Sequence, residues 1–61
     1  MAKFRVHFKG STGELEVEAD KFFPYGGGGE WMYFEVERGG DKITVEAIRA
    51  ELISHVQRLS D

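Results

Sequence analysis

Apolar and charged residues alternate strictly from Lys3 to Lys9: Phe4, Val6 and Phe8 hold one parity, Lys3, Arg5, His7 and Lys9 the other. A period of two carried by aromatic and β-branched residues predicts a half-buried strand. Gly10-Ser11-Thr12-Gly13 supplies turn chemistry, because glycine takes positive φ and the hydroxyls bond nearby backbone. Alternation resumes from Glu14 to Asp20, with Leu15, Val17 and Ala19 apolar and Glu14, Glu16, Glu18 and Asp20 acidic. Pairing Lys9 with Glu14 sets His7 against Glu16, Arg5 against Glu18 and Lys3 against Asp20. The same register sets Phe8 against Leu15, Val6 against Val17 and Phe4 against Ala19. A slip of one residue would turn a strand's apolar set toward water, so the faces are strongly specified. The basic stripe thereby acquires acidic partners and loses its claim as a phosphate-binding patch.

A second hairpin is predicted from Trp31–Glu37 and Lys42–Ile48 around Arg38-Gly39-Gly40-Asp41. A Gly-Gly pair suits a two-residue turn of the primed types, whose central positions need positive φ. That turn places Val36, Phe34 and Met32 opposite Ile43, Val45 and Ala47 on a core face. The other face pairs Glu37 with Lys42, Glu35 with Thr44, Tyr33 with Glu46 and Trp31 with Ile48. It begins charged and ends aromatic, so Trp31 and Tyr33 are either covered by Phe22, Phe23, Tyr25 or the C-terminal segment, or form an exposed binding surface. Coverage is the expectation for so short a chain.

Between the hairpins, Lys21-Phe22-Phe23-Pro24-Tyr25 and the run Gly26–Gly29 read as a loop, since proline and four glycines exclude a continuous helix or a central strand. The glycine run lacks the Lys-Ser/Thr ending and the following helix of a phosphate loop. The C-terminal segment has two readings. Val45, Ile48, Leu52, Val56 and Leu59 form an apolar stripe at helical spacing. The glycine-turn register instead keeps a strand up to Ile48, followed by a tight turn through Arg49-Ala50-Glu51-Leu52 and a last strand from Ile53 to Leu59.

The segments Arg5-Val6-His7-Phe8, Glu16-Val17-Glu18-Ala19-Asp20, Trp31-Met32-Tyr33-Phe34 and Arg49-Ala50-Glu51-Leu52-Ile53-Ser54-His55-Val56 together resemble short bacterial and phage proteins of SH3-like or Sm-like small β-barrel type. The resemblance implies a short turn before the final strand and no catalytic residues. The expected fold is therefore all-β, a small SH3-like or Sm-like barrel of two hairpins plus a final strand, with ββββα as the alternative.

Composition narrows the function classes. A chain of 61 residues forms one domain, residues 1–61, and has no cysteine for a disulfide, a thiolate metal site or a thiol nucleophile. Eleven acids against eight bases give a net charge of -3, which disfavours non-specific binding to polyanions. No apolar leader or membrane-length stretch occurs, so a cytoplasmic location is expected. His7 and His55 lie 48 positions apart without metal-ligand spacing, and no serine has an elbow motif, so neither an enzyme nor a metal or cofactor is expected. The expectation is a non-enzymatic protein-interaction or assembly module, binding a protein partner or a second copy. The candidate binding residues are Trp31, Tyr33, Phe22, Phe23 and Tyr25. The alternative is a single-stranded nucleic-acid-binding barrel in which those aromatics stack bases and Lys21, Arg38, Lys42 or Arg49 lie near phosphates.

Overall fold

Backbone pairing takes up most of the chain in the computed structural model, which describes residues 1–61. The elements are β1 (Ala2–Phe8), β2 (Glu14–Ala19), β3 (Lys21–Tyr25), β4 (Trp31–Arg38), β5 (Asp41–Arg49), a 3-10 turn (Ala50–Leu52) and β6 (Ile53–Ser60). They form two three-stranded antiparallel sheets, ordered β2-β1-β6 and β3-β4-β5. The protein is all-β, and the sheets do not close into a barrel. No helix is long and apolar enough to cross a membrane.

The helical stripe of the C-terminal segment yields to strand pairing. β6 lies beside β1 with Val56 opposite Val6 and Ile53 opposite Phe8, so it satisfies the second row of β1 backbone groups. Two members of the stripe, Val45 and Leu52, are left exposed. Rather than lying over a sheet face, β6 extends one sheet and sends Ile53 into the core.

The first hairpin pairs two residues away from the register that full charge matching suggests. Lys3 faces Glu18, Arg5 faces Glu16 and His7 faces Glu14; on the inner face Ala2, Phe4 and Val6 meet Ala19, Val17 and Leu15. A shift of two preserves both faces and keeps opposite charges facing each other in three pairs, leaving out only Lys9 and Asp20. Neighbouring elements decide. The Lys9 N–H donates to the Leu52 carbonyl at 2.9 Å, drawing the end of β1 toward β6. At the other end Asp20 forms a corner: its N–H donates to the Glu35 carbonyl at 2.8 Å, and its Oδ2 accepts from the Glu37 N–H at 2.7 Å. Through that corner the chain passes directly from β2 into β3. Lys21–Tyr25 is thus a strand rather than a loop, and Pro24 is accommodated because β3 is an edge.

The second hairpin follows the expected register from Arg38/Asp41 to Glu35/Thr44, and Gly39 and Gly40 both take positive φ, 59° and 86°. A bulge then intervenes, so that Phe34, Tyr33, Met32 and Trp31 face Glu46, Ala47, Ile48 and Arg49. The extra residue is Val45, which the bulge leaves 42% exposed, while Ile48 moves to the inner side and packs on the core.

Ala2, Phe4, Val6, Val17, Ala19, Phe34, Val36 and Ile53 form the core, ringed by Phe8, Met32, Ile48 and Val56, with no polar or charged residue buried among them. Each sheet edge is unsuited to accepting another strand. β2 carries Glu14, Glu16 and Glu18, β3 carries Pro24, β5 contains the Val45 bulge, and β6 has register shifts near both ends.

Candidate functional site

Because Phe34 and Val36 point inward, alternation sends Trp31, Tyr33 and Glu35 to the outer face of β4. The β3 register adds Tyr25 opposite Trp31, Phe23 opposite Tyr33 and Lys21 opposite Glu35. From β5, Arg49 lies opposite Trp31 and the small Ala47 opposite Tyr33. The result is an aromatic platform. Tyr25 and Tyr33 stack at 4.5 Å between centroids with 12° between planes, Phe23 lies 6.1 Å from Tyr33, and the Arg49 guanidinium is 5.4 Å from the Trp31 ring.

Tyr25 is 54% and Trp31 36% exposed, and Phe23 and Tyr33 are half-buried by these neighbours. Phe23 and Tyr25 supply part of the expected cover, over Tyr33, whereas the C-terminal segment supplies none because β6 belongs to the other sheet. Phe22 does not join the platform. Its parity turns it to the other face of β3, edge-on to Phe4 at 5.0 Å and 5.5 Å from Phe34, where it flanks the core while staying 37% exposed. Four of the five aromatic residues singled out in the sequence therefore share one surface, and the fifth lies on the opposite face of its strand.

The platform's end is braced. The Gly29 N–H donates to the Gly26 carbonyl at 3.1 Å, and the Ala50 N–H donates to the Glu30 carbonyl at 2.7 Å, tying the glycine turn to the 3-10 turn. Gly26 has φ 105° and sits against the Glu30 carboxylate, where a Cβ would collide.

Cations on the platform are already paired. The Lys21 ammonium is 3.5 Å from Glu35 and 5.7 Å from the Phe23 ring, and Arg49 Nε donates to Glu51 at 3.2 Å. Arg38 and Lys42 lie toward the hairpin turn, opposite Asp41 and Glu37. The four cations considered for phosphate contact therefore do not form a free basic patch around the aromatics.

Sequence reading missed one pair. His7 and His55, distant in the chain, are cross-strand partners on the outer face of β2-β1-β6, with rings stacked at 4.1 Å and 12°. The outward parity of His7 is visible in the sequence. His55 shares the parity of the buried Ile53 and is turned outward by the irregularity between them, and only the pairing of β6 with β1 brings the two together. His7 accordingly sits beside Glu14 and His55 rather than beside Glu16. The surface has no concave pocket, and no group of three or more His, Asp or Glu converges. Compared with family models, curated protein sequences and solved structures, the chain matches none.

Proposed function

We propose that this chain is a small non-enzymatic protein-interaction module acting in the cytoplasm, and that it binds its partner on the aromatic outer face of β3-β4-β5. The observation that carries this reading is the braced group of Phe23, Tyr25, Trp31 and Tyr33, left partly exposed on a chain with few apolar residues to spare. Rigid aromatic side chains contribute much contact area at low entropic cost, as expected of an interface centre. The blunted sheet edges favour contact through this face over strand addition. An SH3-like reading of the fold rests on the resemblance, which implies the short turn found before the final strand. Single-stranded nucleic acid is the second reading, against which the pairing of Lys21 with Glu35 and of Arg49 with Glu51 counts.

A photocrosslinking amino acid at Tyr25, compared with one at Glu18 on the outer face of the opposite sheet, tests the surface in living cells. Discrete adducts at position 25, absent at 18 and lost with Trp31→Ala, are expected. Equal labelling at the two positions would overturn the proposal. Quenching of Trp31, the single tryptophan, by oligonucleotides that fades steeply with salt would instead favour nucleic acid.

A further inference from the structure

β6 pairs with no strand adjacent to it in the chain. It follows β5, yet it joins β1 in the other sheet and shares no ladder with β5. The 3-10 turn Ala50–Leu52 makes the crossing, and its two ends are pinned to opposite sheets. The Ala50 N–H donates to the Glu30 carbonyl at 2.7 Å, at the start of β4, and the Leu52 carbonyl accepts from the Lys9 N–H at 2.9 Å, at the end of β1. Only Glu51 lies between these anchors, its side chain 69% exposed. The flanking Arg49 and Ile53 are already extended, with φ -63°, ψ 123° and φ -93°, ψ 127°. The turn buries no residue, has no side-chain cap, and leaves Leu52 51% exposed. With the poorer hydrogen-bond geometry of a 3-10 turn, little holds it bent.

We propose that two copies of this chain exchange β6 about that turn, each last strand pairing with β1 of the other copy in a two-fold domain-swapped dimer. Exchange keeps the β1–β6 contacts, Val56 opposite Val6, Ile53 opposite Phe8 and His7 stacked on His55, but makes them between chains. Both anchors survive: Ala50 stays with its own β4, and Leu52 moves with β6 to Lys9 of the other copy. The conformational change is confined to the backbone around Glu51. The two straightened turns run side by side about the two-fold axis, where the Leu52 side chains gain cover that one copy does not provide. The dimer is therefore set by protein concentration, and it is reached by refolding, since β6 must leave one β1 before it joins another. Each half retains β3-β4-β5 from a single chain, so the dimer carries two aromatic faces. A partner with repeated motifs would bind it more tightly than one copy, a consequence that rests on the binding face proposed above.

The chain has no cysteine, so His7→Cys together with His55→Cys introduces one pair, at register partners close enough to bridge and outside the core. Refolded from urea in reductant at micromolar concentration and then oxidised, this variant should close its disulfide within the chain. Refolded at millimolar concentration, it should form a dimer whose chains stay joined in detergent until reduced, and neither single-cysteine variant should do so. Wild type refolded at millimolar concentration should sediment as the same dimer. Removal of Ala50 and Glu51, which leaves the turn too short to fold back, should give dimer at every concentration. The double-cysteine chain has the full turn, so it decides the matter even where the shortened chain fails to fold. Monomer alone after millimolar refolding, a dimer whose disulfides lie within chains, or a folded shortened chain that stays monomeric would each overturn the proposal.

Discussion

Phe34 is fully shielded from water, with the rings of Phe4 and Phe22 at 6.2 and 5.5 Å. Truncating a buried phenylalanine costs about 3–5 kcal/mol. A single core of this size supplies rarely more than ~3–5 kcal/mol in total. Phe34→Ala should therefore abolish the cooperative urea transition followed by circular dichroism. Arg5 illustrates the opposite, outward-facing case. Its Nη2 donates to Glu16 at 3.0 Å, while Nε, shut off from water, has no hydrogen bond and faces Glu14 Oε1 at 3.5 Å. The hydrogen bond to Glu16 and then the charge of Glu14 raise the guanidinium pKa above its usual value, against a smaller opposing effect of desolvation. A base with a raised pKa contributes its stabilisation wherever it is protonated and loses it only as pH climbs through its own range, here in strong alkali. The melting-temperature difference between wild type and Arg5→Gln should thus stay constant from about pH 7.5 to about pH 9.5.

At the scale of strands, the bulge in β5 exchanges the roles of two residues. An unbroken hairpin would set Val45 against Phe34 in the core; the bulge brings Ile48 inward instead. Val45→Thr should change stability by no more than about 0.5 kcal/mol in urea melts. Ile48→Thr, at a partly buried position, should cost about 1–2 kcal/mol. The reverse order would restore the unbroken register. For the first hairpin, cross-strand proton contacts by NMR should link Lys3 with Glu18 and Arg5 with Glu16, and none should link Lys3 with Asp20. These two places show where sequence patterning reaches its limit. Which face each residue of β1, β2 and β4 occupies follows from alternation, and the Gly39-Gly40 turn fixes the nearest pairs. The first register is ambiguous because a two-residue slip still matches three of the four base–acid pairs, leaving out only Lys9 and Asp20, and Asp20 is taken by the corner instead. The bulge carries no glycine or polar signature, and Val45 reads as an ordinary core residue.

For the molecule as a whole, the aromatic surface was half legible. Trp31 and Tyr33 stand on the outer parity of an evident strand, but Phe23 and Tyr25 join them only because the proline-containing segment becomes an edge strand, and Phe22 is turned to that strand's other face by the same alternation. The His7–His55 contact was illegible because it depends on a pairing between the most distant strands. The same pairing brings Lys3 beside Ser60. Gly27 and Gly28 have open space around their Cα atoms and lie at a turn tip. A circular permutant with a short flexible linker joining the ends, opened between Gly27 and Gly28, should keep the parental circular dichroism spectrum. Retention of the spectrum with loss of crosslinking from position 25 would place the glycine turn in the recognition surface itself.

The β1–β6 pairing also sets the order of events when the chain is made. β1 emerges first and can form its hairpin with β2 at once, yet Val6 and Phe8 must wait for Val56 and Ile53. Ordering the intervening loop costs entropy before that last contact repays it, so closure should be the slow step, on the scale of milliseconds to seconds. Until then the nascent chain displays a half-covered apolar sheet with one unguarded side. Its exposure to chaperones and to aggregation is governed by how quickly the last eight-residue strand is delivered.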